Sequence, residues 1–194
     1  MKLSDTGVVV LASGLSKRFG RQNKLLAMLN GRPIAEYIAD TIHKTEIRSR
    51  IVVVPNGEVM LSDIFRKRNF QIVENQTAEL GQGASLSLGV SALSQNAGVK
   101  AVFVCLADMP FIQPEIFADL ASAIDDRRAA ICTDGRQHTP PALFTREAFP
   151  GLISLTGDQG AKRVLDSLSG IAEVVVSAVC LKDIDHPEDL LTDD

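Results

Sequence analysis

The chain of 194 residues is short of cysteine, of positive charge and of long apolar runs, and each shortage removes a class of function. Its three cysteines, Cys105, Cys132 and Cys180, are odd in number and widely spaced, and no CxxC pair occurs. Zinc binding and dithiol redox chemistry are therefore not encoded. Each cysteine sits in a strand-like apolar run (VFVCLA, RAAICT and VVVSAVCLK), the setting of a buried, inert thiol. The run Val8 to Leu11 is too short for a signal-peptide core or a membrane span, and no other stretch is long and apolar enough to cross a bilayer. A cytoplasmic protein with no membrane partner is expected. A formal net charge of −4 argues against a general nucleic-acid binder. Neither GxxxxGKS/T nor GxGxxG is present, so the P-loop and the dinucleotide fingerprint are both absent. No Ser-His-Asp or Cys-His arrangement is evident either.

What is present is an ordinary globular composition, 45% hydrophobic and 23% charged. A chain of this size can bury about 70% of its unfolded surface, so neither disulfide nor structural metal is required for stability. There is no internal repeat, low-complexity tract or long linker. Short, continuous, β-branched segments read as buried strands: VVVLA (8–12), IVVVP (51–55), AVFVCLA (101–107) and VVVSAVCL (174–181), with FQIVEN (70–75) a weaker one. Between them lie segments of helical spacing. Pro33 can open one through IAEYIADTIHK, Val59 to Phe65 form a second, Leu86 to Leu93 a third, and Pro114 starts a fourth. Strand and helix alternate throughout. The expected architecture is one domain over residues 1–194, a three-layer α/β/α arrangement with a mainly parallel sheet. Ligands of such sheets bind at the carboxyl ends of the strands, near a switch point in strand order.

Charge is unevenly distributed. Residues 1–50 hold nine Lys or Arg against the four acids Asp5, Glu36, Asp40 and Glu46, while the C-terminal end is acidic. That pattern suits a local anionic ligand. Directly after the first strand, LASGLSKRFGRQNK (11–24) combines Ser13 and Gly14, whose N–H groups can approach phosphate oxygens closely, with Lys17, Arg18, Arg21 and Lys24. A triphosphate needs that combination; a solvated basic loop is the other reading. After the central strand, CLADMPF (105–111) places Asp108 at the sheet's rim, held there by Pro110, where it can bind a hard divalent cation or cap a turn. In DIDHPEDL (183–190), Asp185 can supply a second carboxylate or act as N-cap of a helix near Pro187. In GQGASLSLG (81–89), Gly83, Ser85 and Ser87 can contact a base or cap a helix.

In this order, the segments resemble the MobA-like nucleotidyltransferase family, and within it the molybdenum cofactor cytidylyltransferases. The likeness runs from about Val8 to Leu191. Its most specific part is L-A-x-G-x-x-x-R-F-G-x-x-N-K-L-L, matched by Leu11, Ala12, Gly14, Arg18, Phe19, Gly20, Asn23, Lys24, Leu25 and Leu26. NGRPI (30–34), LADMP (106–110), PALF (141–144), LTGDQGAKRVL (155–165) and DIDHPEDL (183–190) follow in register. The resemblance implies a GT-A-like, Rossmann-like nucleotidyltransferase fold. It implies that Leu11, Ala12, Ser13, Gly14 and Lys24 hold the nucleotide, that Gly83 and Ser85 lie by the base, and that Asp108 and Asp185 bind Mg²⁺. It also implies that Gly157, Asp158 and Gly160 face the acceptor. Two departures stand out. Ser13 replaces the Ala usual in cytidylyl members and the Gly usual in guanylyl members, and its size leans towards CTP. Thr139 and Pro140 stand where many relatives carry Gly and a polar residue or His.

The reaction implied is CMP transfer from CTP to the terminal phosphate of molybdopterin, with pyrophosphate leaving in line. Arg18 and Lys24 would stabilise the leaving group. Charge neutralisation and positioning would supply most of the catalysis. The competing expectations are a MobA-like transferase using GTP or another phosphorylated acceptor, and a non-catalytic nucleotide-binding chaperone that delivers cofactor to a molybdoenzyme partner.

Overall fold

The computed structural model describes residues 1–14, 19 and 23–190. Strand β1 (Thr6–Leu11) is buried along its whole length. Val8 and Val10 enter one hydrophobic core and Val9 and Leu11 the other, so a single run of β-branched residues feeds both faces of the sheet. A short hairpin, β2 (Met28–Leu29) and β3 (Arg32–Pro33), turns on Asn30 and Gly31. Both have positive φ, +49° and +78°, as a type I′ turn demands. Helix α1 (Ile34–His43) follows, with Ile34, Ile38 and Ile42 buried. Next come β4 (Ser49–Pro55), α2 (Val59–Arg66) and β5 (Gln71–Asn75). Helix α3 (Gln82–Ser94) leads to β6 (Ala101–Leu106) and α4 (Pro114–Ala123). Strands β7 (Ala129–Thr133) and β8 (His138–Thr145), short helices α5 (Phe149–Ile153) and α6 (Lys162–Ser167), and β9 (Ala172–Val175) complete the order.

Among the described residues the main sheet has seven strands in the order β5-β4-β1-β6-β8-β7-β9. Neighbours pair in parallel except around β8, which runs antiparallel to both β6 and β7. Residues of α1, α2 and α4 pack in the first core, those of α3, α5 and α6 in the second. The expected three-layer α/β/α architecture is therefore observed. From β1 the chain builds outward through β4 and β5, then crosses to β6 on the other side of β1, which makes the β1/β6 boundary the switch point. Leu11 and Leu106 are paired there, and the Ala107 N–H donates to the Leu11 carbonyl at 3.1 Å.

Two readings of the sequence need correction. Residues 174–181 are not one strand: β9 ends at Val175, and residues 178–181 form a turn. The cause is the length of its partner, since β7 ends at Thr133, whose carbonyl accepts a last bond from the Val176 N–H at 2.8 Å. Cys180 accordingly lies half-buried in that turn, whereas Cys105 and Cys132 are buried in strands. The second correction is β8, an unanticipated strand that contains Pro140 and Pro141, with the ladder to β7 shifting register between Ile131 and Cys132.

Candidate active site

The carboxyl ends of β1 and β6 open into a cleft of about 480 Å³. Lys24 begins a single 3-10 turn, Lys24–Leu26, whose preceding residue Asn23 accepts the Leu25 N–H on its side chain at 3.0 Å. Buried Leu25 anchors this turn, so Lys24 is presented to the cleft from a fixed base. Its Nζ donates to Asp108 Oδ2 at 2.7 Å and to Asp185 Oδ1 at 3.0 Å. Asp108 is fixed by buried Met109 on one side, and its carbonyl accepts the Ile184 N–H at 2.9 Å. That last bond ties the 183–190 segment to the end of β6 and brings Asp185 to the site. Asp189, not Asp185, performs the capping: its Oδ2 accepts the N–H groups of Asp185 and His186.

Two carboxylates thus converge on one ammonium. Burial alone would lower the Lys24 pKa, but attraction to Asp108, its hydrogen bond and the weaker contacts with Asp185 raise it above the ordinary lysine value. Although much of Asp183 meets solvent, partial desolvation of its carboxyl, then repulsion from Asp185 and Asp108, pushes its pKa up. Asp108 Oδ1 is buried and has no hydrogen-bond partner among the described residues. An orphaned, buried carboxylate oxygen facing a second acid is a group that a bound cation would satisfy. Among the described residues no three His, Cys, Asp or Glu side chains are grouped as a closed metal cage. The donor set instead fits a hard cation that takes one or two carboxylates and completes its shell with phosphate and water.

Residues 8–173 match the MobA-like NTP transferase domain. The chain belongs to that family. It is 33% identical over 192 residues to the "Purine catabolism protein PucB" of Bacillus subtilis (strain 168), with 93% of this chain and 92% of that protein covered. It is 27% identical to a "Probable molybdenum cofactor guanylyltransferase" of Pyrococcus horikoshii, over 85% of this chain and 82% of that one. Among solved structures, the rv0371c homolog from Mycobacterium sp. strain JC1 superposes with a TM-score of 0.81 at 23% identity, covering 97% and 94% of the two chains. Rv0371c of Mycobacterium tuberculosis H37Rv, solved as a complex with manganese, gives a TM-score of 0.72 at 18% identity, covering 89% and 88%. The protein is a MobA-like nucleotidyltransferase.

Within this MobA-like frame the expected site residues separate into three groups. Leu11, Ser13, Gly14, Lys24, Ser85, Asp108, Asp158 and Asp185 all line the cleft. Ala12, Gly83 and Gly157 do not. Ala12 is buried and its N–H bonds to the Val53 carbonyl at 2.9 Å, while the Gly83 N–H donates to the Gly157 carbonyl at 2.8 Å. A Cβ on Gly83 would meet the Gln159 carbonyl oxygen at 2.7 Å, so this glycine seats the 156–159 loop on the start of α3. Ser87 bonds to the Ile153 carbonyl, away from the cleft. Gly160 lines a second cavity of about 230 Å³, together with Leu86, Val104, Ile131, His138 and Pro140. The two cavities share Leu11, Gln82 and Leu106. Arg18 lies outside the described residues.

Asp183, Asn75 and His138 are the site neighbours that motif reading passed over. Asp183 stands in the same DIDHPEDL motif as Asp185, and it feels the Asp185 and Asp108 carboxylates. Asn75 and His138 carried no signal of their own, being single polar residues at strand ends.

Proposed function

We propose that this chain transfers CMP from CTP to the terminal phosphate of a molybdopterin-type acceptor and releases pyrophosphate. The observation that carries the reading is Lys24 held between Asp108 and Asp185 in a cleft also lined by Ser13 and Gly14. The raised pKa keeps Lys24 cationic, so its Nζ can donate to phosphate oxygens and stabilise the departing pyrophosphate. Ser13 and Gly14, which both line the cleft, offer backbone N–H donors to the same triphosphate. Arg18 belongs to the same basic loop and is assigned to the leaving group. Ser85 lies by the base. Asp158, on the cleft wall, and Gly160, in the adjoining cavity, face the acceptor.

Asp108 and Asp185 would hold a divalent cation, for which we propose Mg²⁺; manganese in a structural neighbour is in keeping with that choice. Such a cation neutralises phosphate charge and fixes phosphate orientation. A phosphate monoester oxygen of the acceptor attacks the α-phosphorus, the bond to the bridging oxygen of the β-phosphate breaks, and pyrophosphate leaves. The attacking oxygen is already largely anionic at neutral pH, so no strong general base is needed.

Ser13 supports CTP, being closer to Ala than to Gly in size. The guanylyltransferase relative favours GTP as the second reading. Pyrophosphate release measured with each of the four ribonucleoside triphosphates, with and without molybdopterin, separates them. CTP with molybdopterin is expected to give turnover; turnover with GTP alone among the four transfers the assignment to guanylyl. Nucleotide binding without release under every condition would leave a cofactor chaperone.

A further inference from the structure

A chain of hydroxyl and amide groups runs from the end of β5 to the cleft. Thr77 donates to Asn75 Oδ1 twice, from its backbone N–H at 2.9 Å and its hydroxyl at 3.1 Å. A backbone N–H can only donate, so this atom is the carbonyl oxygen and the orientation of the Asn75 amide is fixed. The other end of the amide, Nδ2, donates to Ser85 Oγ at 2.8 Å. Ser85 Oγ and Ser13 Oγ are 2.6 Å apart. Asn75, Ser85 and Ser13 are 4%, 1% and 5% exposed.

Counting protons decides what this arrangement presents. Ser85 Oγ is committed as an acceptor by Asn75. Ser13 and Ser85 then hold two hydroxyl protons between them, and one lies in the bond that joins their oxygens. The second has no acceptor among the described residues, whichever serine carries it. Both serines line the cleft, and Asn75 does not. Resting on the assignment of this cleft to a nucleotide, we propose that the Ser13–Ser85 pair offers the base one unshared hydroxyl proton, polarised through Asn75, and so selects a base edge with a hydrogen-bond acceptor there. The recognised group is a carbonyl oxygen or an unprotonated ring nitrogen; an amino group in that place would leave the second hydroxyl proton without an acceptor. Asn75 is a positioning residue, acting only through Ser85.

Asn75→Asp tests this with almost no change of shape. An ionised carboxylate can only accept, so Ser85 must turn its proton towards it, Ser13 donates to Ser85, and no proton remains for the base. Affinities for CTP and for inorganic triphosphate are measured by titration on the full chain. Asn75→Asp should weaken CTP binding about tenfold or more and leave inorganic triphosphate unchanged. Asn75→Ala, which leaves Ser85 its proton, should weaken CTP less. Ser13→Ala and Ser85→Ala each retain one hydroxyl, so the double variant should lose more than the product of the single losses. This second series stands even if Asn75→Asp does not fold. The proposal falls if Asn75→Asp binds CTP as tightly as the wild type, if inorganic triphosphate weakens in parallel, or if the serine losses simply multiply. Wild-type protein that binds inorganic triphosphate but none of the four nucleotides would instead overturn the nucleotide assignment itself.

Discussion

Lys24 Nζ lies 2.7 Å from Asp108 Oδ2, an ion pair that joins the first strand's loop to the end of the central strand. Both side chains are mostly shielded, at 13% and 18% exposure, so the pair is less screened than a surface bridge. Asp185, at 43%, adds a more solvated contact at 3.0 Å. The site is therefore organised before any substrate arrives, with a cation already at the point where anionic groups converge.

Substitution of either member of the pair should separate stability from turnover. Asp108→Ala and Lys24→Ala are each expected to lower pyrophosphate release by about 10²–10³, the usual loss for one electrostatic contact in a phosphoryl-type site. Lys24→Ala removes the ion pair from Asp108, so its melting temperature should rise more on adding Mg²⁺ than that of the wild type. Circular dichroism melts with and without Mg²⁺ check the second expectation. Wild-type turnover by Asp108→Ala removes the metal assignment.

Asp183 gives a pH-linked test of the same cluster. Its folded-state pKa is raised, so folding disfavours the ionised form. The sign follows: relative to an uncharged side chain, Asp183 costs stability once pH passes the ordinary carboxylate value of 3.8, and the cost is fully developed above the raised value. Asp183→Asn should melt higher than the wild type at pH 7 in EDTA. Much of the residue is exposed, so screening keeps the gain below about 1 kcal/mol, or no more than about 4 °C. The difference should vanish towards pH 3. A variant that melts lower at pH 7 would show that the carboxylate is stabilised by contacts rather than repelled.

The parts of this molecule legible in the sequence are those set by local pattern. VVVLA and AVFVCLA announce themselves because strands buried on both faces are continuous β-branched runs, and Asp108 follows from its place after one of them. Strand β8 escaped because HTPPALFT has two prolines and no alternation, and its pairing comes from β6 and β7 on either side. The end of β9 escaped for the opposite reason: its apolar run continues past the last residue for which β7 supplies a partner. Lys24 and Asp108 were readable from their places after the first and central strands, whereas for Asp185 the residues alone left ligand and N-cap equally open. The Asn75–Ser85–Ser13 chain was not readable at all, since nothing periodic connects a strand end, a helix and a loop.

Gly83 tests whether a motif glycine acts through packing. A Cβ there would come within 2.7 Å of the Gln159 carbonyl and 2.9 Å of the Thr156 carbonyl, and both are backbone atoms that cannot rotate away. Gly83→Ala should destabilise the fold by about 1–3 kcal/mol, the usual cost of overpacking. Because the displaced loop carries Asp158, which lines the cleft, KM for the acceptor should rise more than KM for the triphosphate. Denaturant melts and initial-rate kinetics read the two effects separately. A selective rise in triphosphate KM would place Gly83 against the base instead.

Thiol reactivity should distinguish the three cysteines cleanly. Cys105 is wholly buried in β6, and burial, with a smaller effect of Cys132, pushes its pKa far up. Burial likewise pushes Cys132 up to about 12, with the Asp119 carboxylate adding to the shift. The thiolate is the reactive form, so both are protected by access and by ionisation. Cys180 is half-buried in the turn after β9, where its neighbour Val179 is exposed. Native protein treated with iodoacetamide at pH 8 should take up one label, on Cys180, with Cys105 and Cys132 modified only after unfolding. Mass spectrometry of peptides reads the positions, and early labelling of Cys132 would mean that β7 opens far more readily than its packing between β8 and β9 requires.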